Sequence, residues 1–316
     1  MPRPHVLLVS KPAPFFLERL KAAFVVHERL HETDPPEFLK VAPLIRGIAG
    51  GGESAVTDAL INQLPSLEMI AIMGVGYDRV DVPAALKRGI IVTHTPNVLN
   101  DEVADLALGL ILSAARRIPQ ADHYVRSGRW GVEGAMPLAR KVSGARLGIV
   151  GLGRIGQAIA NRALAFGMSV AYTARSAKPA SPFAFYPTAL ALAAEVDFLV
   201  VITPGGAGTF HLINAPVLKA LGPRGYLINV ARGSVVDEAA LVDALQKGDI
   251  AGAALDVFED EPFPLKALFE LDNVVLTPHM ASATRETRLA MAELAVANLV
   301  AQFAGQPPLS AVPECG

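Results

Sequence analysis

Short runs rich in Val, Ile and Leu alternate along the chain with stretches whose apolar positions recur at helical spacing, a pattern that predicts βα units and parallel sheets. In the first third, strands are predicted near 6–10, 25–28, 45–49, 69–73 and 90–93. A second series begins at Arg146, with strands near 147–150, 169–173, 198–202, 226–230, 252–256 and 274–277. The expected fold class is α/β, with two doubly wound parallel-sheet domains of Rossmann-like or flavodoxin-like type.

The join between the series has helix-end chemistry. Asn100 is a good N-cap, Asp101 and Glu102 complement the helix N-terminus, and Arg116 and Arg117 stand before Pro119. Between these ends the pattern is apolar almost all round, which predicts burial between layers or against a partner. A last helical stretch, 283–304, follows the final strand and is long enough to cross back. The expected organisation is a discontinuous first domain, 1–97 plus 285–316, with a second domain, 98–284, inserted in it. The triple glycine Gly50-Gly51-Gly52 reads as a flexible loop at a strand end, with the lining of a cleft as the alternative.

Composition narrows the class. Two domains are the natural reading of 316 residues, and 52% hydrophobic with 18% charged residues supplies ample core. A net charge of -2 provides no basic field, so neither nucleic acid nor a membrane surface is an expected partner. The longest strongly apolar stretch, 106–115, falls short of the roughly 20 residues that span a bilayer, and Val6 to Val9 is too brief for a signal-peptide core. One cysteine, Cys315, fits a reducing compartment, and a cytoplasmic protein is expected.

Candidate chemistry begins at Gly151-Leu152-Gly153-Arg154-Ile155-Gly156, which follows an apolar run and opens a helical pattern. Gly151 permits a tight turn, Gly153 lets backbone N–H groups approach a pyrophosphate, and Gly156 allows close helix–strand packing. The helix N-terminus supplies the positive end of a dipole. An NAD site wants a carboxylate roughly 20 positions on. Here the second strand ends in Thr173, followed by Arg175, Ser176 and Lys178, which suits a 2′-phosphate. The expected cofactor is NADP(H), with NAD(H) possible.

Ligands of open parallel sheets bind at the carboxyl ends of the strands. Arg232, Glu261 and His279 stand just beyond three successive predicted strands of the second series. Hydride transfer to a carbonyl builds negative charge on oxygen. An imidazolium can deliver the proton, a carboxylate on its far nitrogen favours and orients it, and an arginine can bind a substrate carboxylate and polarise the carbonyl. Taken singly, each residue has a bland reading: a loop ion pair, an exposed acid, a packed histidine.

These motifs resemble the D-isomer-specific 2-hydroxyacid dehydrogenase family over nearly the whole chain. Asn229-Val230-Ala231-Arg232-Gly233 with Asp237-Glu238 is similar to its arginine motif, Leu255-Asp256-Val257-Phe258 leading to Glu261-Pro262 to its glutamate motif, and Thr277-Pro278-His279 to its histidine motif. Gly74-Val75-Gly76-Tyr77-Asp78 resembles the substrate loop, which implies that the amides of Val75 and Gly76 hold the substrate carboxylate, with an active-site cleft between the two domains. Within the family, Thr203-Pro204-Gly205-Gly206, Arg175-Ser176 and the segment from Pro278 to Thr284 most resemble glyoxylate/hydroxypyruvate reductases. The resemblance implies NADPH-dependent reduction of a small 2-oxo acid by Arg232, Glu261 and His279. It sets Thr203, Pro204, Val230, Ala231, Asp256 and His279 along the cofactor. It also implies a homodimer formed through a segment near 98–145, which would explain the apolar helix, and a Trp130 that reaches into the partner's active site or anchors the interface. Alternatives are a short phosphoglycerate dehydrogenase, a reductase of bulkier 2-oxo acids, and a dinucleotide-sensing corepressor-type binding protein; with the sequence ending at Gly316, the regulatory domain of long phosphoglycerate dehydrogenases is not expected.

Overall fold

The computed structural model describes residues 3–11 and 13–315, so residues 1 and 316 of the expected domain bounds lie outside it. The chain divides into two compact units, one of residues up to Leu99 together with those from Ala283 onward, the other Asn100–Ser282.

The first unit holds an all-parallel sheet of β1 (His5–Leu8), β2 (Val25–Glu28), β3 (Ile45–Gly51), β4 (Met69–Met73) and β5 (Ile91–Thr93), in the order β2-β1-β3-β4-β5. Strand β4, Met-Ile-Ala-Ile-Met, is buried at all five positions, as a parallel strand covered on both faces requires. The helix Arg285–Phe303 packs on β4 and on the helix Pro14–Ala23, which returns the end of the chain to this unit. One expectation is corrected here. Gly50 and Gly51 are strand residues rather than a loop, paired with Ile72 and Met73 of β4. A Cβ on Gly50 would lie 2.7 Å from Val9 Cγ2 and 2.9 Å from Ser54 Oγ, so close packing accounts for that glycine.

The second unit holds a seven-stranded parallel sheet. Its strands are β6 (Arg146–Val150), β7 (Ser169–Thr173), β8 (Ala184–Phe185), β9 (Phe198–Val201), β10 (Tyr226–Asn229), β11 (Gly252–Leu255) and β12 (Val274–Leu276), in the order β12-β11-β10-β9-β6-β7-β8. The edge strand β8 is two residues long, too short for any periodic pattern to reveal. Register brings Thr173, Val150, Val201, Asn229, Leu255 and Leu276 level across six strands. The residues that follow them therefore emerge at one edge. Winding reverses between β6 and β9, where an open sheet forms its ligand crevice.

The helix Asn100–Arg116 buries Val103, Ala104, Ala107, Leu108, Leu110, Ile111, Ala114 and Ala115. It packs on the helix Arg154–Ala165 and on β10, β11 and β12. Its own unit thus accounts for its apolar surface, and a dimer is not needed to explain it. Arg162 pins the polar side to Asp101 at 2.9 Å and Asp105 at 2.5 Å. No helix among the described residues is long and apolar enough to cross a membrane.

Candidate active site

The glycine loop lies directly after β6. Gly151 adopts φ +103°, and a Cβ there would press on the backbone of Ile202 and Thr203 after β9. A Cβ on Gly156 would stand 2.3 Å from the Gly151 carbonyl oxygen, so only glycine lets the helix Arg154–Ala165 start this close to the strand. The bond from Gln157 N to Gly153 O, 2.9 Å, closes the first turn. The amides of Arg154, Ile155 and Gly156 precede it and have no intrahelical acceptor. Around Gly153 the space for a Cβ is open. Free amides, a positive helix end and an uncrowded approach fit a pyrophosphate.

At the end of β7 the Thr173 carbonyl accepts the Gly151 amide at 2.9 Å, which joins the second strand end to the loop. Thr173 is buried, whereas Arg175, Ser176 and Lys178 are exposed. The buried Tyr172 hydroxyl accepts the Lys178 amide at 2.7 Å and holds this basic turn to the sheet.

Strand ends β10, β11 and β12 carry the rest. Beyond β10 the fully buried Asn229 accepts from Ala231 N at 3.1 Å and donates to Arg232 O at 3.0 Å, closing the turn that presents the arginine. Arg232 Nη1 donates to its neighbour's carbonyl, Ala231 O, at 2.8 Å. Val230 and Ala231 are buried, and their amides are bonded to Val201 O and Asn229 Oδ1. Gly233 packs directly on the next loop, since a Cβ there would fall 1.8 Å from the carbonyl carbon of Phe258. That contact sets the arginine turn against the segment that carries Glu261.

His279 Nδ1 lies 2.7 Å from Glu261 Oε2, and Glu261 Oε1 accepts the Phe258 amide at 3.0 Å. Burial would push the Glu261 carboxyl up, but the hydrogen bond and charge of His279, the Phe258 amide and the Arg232 guanidinium outweigh it and hold the group below the usual range. The glutamate side chain is 28% exposed and the histidine 39%, so the pair is half-sheltered. An apolar recess of about 250 Å³, lined by Phe258, Pro262, Phe269, Leu276 and Pro278, flanks it.

His279 is held at φ +50°, a left-handed backbone that a non-glycine residue adopts only under constraint. Asp256 supplies that constraint. Its carbonyl accepts His279 N at 2.8 Å, Oδ1 accepts Thr277 Oγ1 at 2.7 Å and Met280 N at 2.8 Å, and Oδ2 accepts Ala281 N at 2.9 Å. The residue is 0% exposed. The family resemblance implies a place for Asp256 along the cofactor, and the hydrogen bonds show in addition that it clamps the histidine segment.

In the first unit, Val75 and Gly76 follow β4. His94 Nδ1 bonds the Val75 carbonyl at 2.9 Å, and Thr95 N donates to Gly74 O at 2.8 Å. Asn229 and His94 escaped sequence reasoning as individual residues, although Asn229 stands in the arginine motif. Trp130, in the short helix Arg129–Glu133, is 63% exposed. Ile118, Val125, Val132 and Leu138 are likewise exposed nearby in sequence.

Comparison with known proteins fits this geometry. The family model described as D-isomer specific 2-hydroxyacid dehydrogenase, NAD binding domain, matches residues 108–281. The hydroxyphenylpyruvate reductase of Plectranthus scutellarioides is 45% identical over 308 residues, 97% of this chain and 98% of that protein. A glyoxylate/hydroxypyruvate reductase of Arabidopsis thaliana is 42% identical over 313 residues, 98% and 97% of the two chains. Among solved structures, the NADPH-dependent glyoxylate/hydroxypyruvate reductase of Sinorhizobium meliloti, in complex with NADP and malonate, superposes with a TM-score of 0.93 at 48% identity, covering 99% of this chain and 98% of that one.

Proposed function

The chain belongs to the D-isomer-specific 2-hydroxyacid dehydrogenase family, and we propose that it is an NADPH-dependent reductase that converts glyoxylate to glycolate and hydroxypyruvate to D-glycerate. The single observation that carries this is the His279–Glu261 pair beside Arg232, raised on adjacent strand ends of the sheet that also bears the glycine loop. When bound, the nicotinamide supplies the hydride that reduces the oxo carbon.

The chain's own groups do the rest. The imidazole of His279, held through Nδ1 by Glu261, has Nε2 available to donate a proton to the substrate oxygen as negative charge develops there. Glu261 stays ionised near neutrality, so it steadies the imidazolium and fixes its orientation. Arg232 pairs with the substrate carboxylate and polarises the adjacent carbonyl. The amides of Arg154, Ile155 and Gly156 would hold the pyrophosphate, and Arg175, Ser176 and Lys178 the 2′-phosphate, with Thr203, Pro204, Val230 and Ala231 along the dinucleotide. The amides of Val75 and Gly76 are assigned to the substrate carboxylate on the motif they share with the family. We assign the discontinuous first domain, 1–97 plus 285–316 by sequence, to substrate binding and the inserted domain, 98–284, to the dinucleotide. A homodimer in the cytoplasm is the expected state, with Trp130 and the exposed apolar residues of 118–138 covered by the second copy.

A panel of 2-oxo acids, each against NADPH and NADH, tests the reading. Turnover with glyoxylate and hydroxypyruvate, faster with NADPH, supports it; equal or better rates with NADH overturn the cofactor assignment. A bulkier, aromatic 2-oxo acid is the second reading. The apolar recess beside the pair and the kinship with a hydroxyphenylpyruvate reductase favour it.

A further inference from the structure

Outside the groups assigned above, the described residues contain a second chain of titratable side chains, His211, Glu259 and Glu238. The Glu259 amide donates to Glu238 Oε1 at 2.6 Å, and the Glu238 amide donates to Glu259 Oε1 at 3.3 Å. The two glutamates thus clasp each other reciprocally, each side chain on the other's backbone. His211 Nε2 closes the chain on Glu259 Oε1 at 2.6 Å, while its own amide donates to Ser234 O at 2.9 Å. His211 is held at φ +49°, another strained non-glycine backbone.

Glu238 is 3% exposed, although it opens a helix whose N-cap is already supplied by Asp237. Its carboxyl is pushed up by burial and by the nearby charges of Glu259, Glu261 and Asp260. A glutamate kept in such a place is costly unless its hydrogen bonds are worth more than its hydration. Those bonds all reach the segments that matter for the reaction. His211 belongs to the segment after β9, Glu238 opens the helix that follows the segment after β10 carrying Arg232, and Glu259 stands two residues before Glu261. With Gly233 packed on Phe258, the reciprocal clasp ties the arginine segment and the glutamate segment into one body.

We propose that Glu238 is a positioning residue for the reduction, with His211 as its second anchor: the clasp on Glu259 fixes the segment from which Glu261 reaches His279. The assignment rests on the reductase reading of the same strand ends. Removing the clasp lets the 258–261 segment drift, and displacements of about 1 Å at a reacting geometry cost up to roughly 100-fold in rate. The glycine loop follows β6, and the amides of Val230 and Ala231 are held by Val201 O and Asn229 Oδ1, bonds that lie outside the clasp, so dinucleotide binding is spared.

The test compares Glu238→Ala, Glu238→Gln and His211→Ala with wild type. The substrate is whichever 2-oxo acid wild type reduces, NADPH affinity is read by fluorescence, and amide exchange over 256–262 by mass spectrometry. We expect E238A to lose about 10- to 100-fold in kcat with NADPH affinity within about twofold of wild type. Exchange at Glu259 should be faster in E238A, H211A should show a smaller loss of the same kind, and E238Q should be rescued because its amide oxygen still accepts the Glu259 N–H. Wild-type kcat in E238A, an E238Q as impaired as E238A, or an equal loss of NADPH affinity would each overturn the proposal. If wild type reduces no 2-oxo acid, the reductase reading fails first. Exchange then still decides the clasp, and unchanged exchange at Glu259 in E238A removes it.

Discussion

His279 donates its backbone N–H to the carbonyl of Asp256, whose carboxylate also accepts from Thr277, Met280 and Ala281 around the imidazole's own turn. A residue with no exposed surface thereby dictates the left-handed backbone of the most exposed member of the pair. Replacing Asp256 by Ala takes the acceptor from three donors, Ala281 N in a buried bond and Thr277 Oγ1 and Met280 N in half-buried ones. At roughly 1 kcal/mol or more for each, a loss of about 3 kcal/mol is expected. Urea unfolding of the isolated variant measures it, and a loss below about 1 kcal/mol would show that other groups hold the segment.

His279→Asn keeps the turn but removes the proton donor. We expect kcat with glyoxylate to fall by about 100-fold or more, with NADPH binding retained. Near wild-type turnover would end the acid–base assignment.

Glu261 is the group whose titration is readable. Its folded-state carboxyl lies below its ordinary range, so its ionised form adds stability that is complete above the unfolded value and disappears as pH falls through the folded one. The melting-temperature gap between wild type and Glu261→Gln should therefore narrow as pH drops below about 4.3. A gap unchanged down to about pH 3 would mean that hydrogen bonding rather than charge holds the pair.

Arg175→Ala separates the two cofactors. A charge-assisted bond to a 2′-phosphate is worth about 1.5–3 kcal/mol, so KM for NADPH should rise roughly tenfold or more while KM for NADH stays within about twofold. Parallel changes in both would place the guanidinium elsewhere.

Gly156→Ala tests the loop. The new methyl would meet the Gly151 carbonyl at 2.3 Å, a contact that only backbone displacement relieves. We predict at least about tenfold weaker NADPH binding by fluorescence titration, because the displaced amides are those assigned to the pyrophosphate.

Much of this was legible in the sequence because parallel strands are apolar throughout and end in polar or glycine residues. The glycine loop, Arg232, Glu261 and His279 all stand at such ends, on strands that proved to be neighbours or near neighbours. What escaped depends on approach in space. Gly50 reads as a breaker until Val9 and Ser54 are seen to crowd it. The helix from Asn100 reads equally well as an interface or a core element, and only its packing on β10–β12 decides. No spacing rule connects Glu238 to Glu259, or Asp256 to Met280, since those pairs exist only once three segments are folded together.

The level register of the six strands has an engineering consequence. Side chains on a strand alternate between faces, so one residue inserted into β11 would turn the Asp256 carboxylate to the opposite side and shift everything after it by a half-period. Length changes in β10, β11 or β12 should therefore abolish function outright. The helix-to-strand turns at the other edge of the same sheet, such as that at Gly167 or Gly248, are the places where added residues or affinity tags should pass unnoticed.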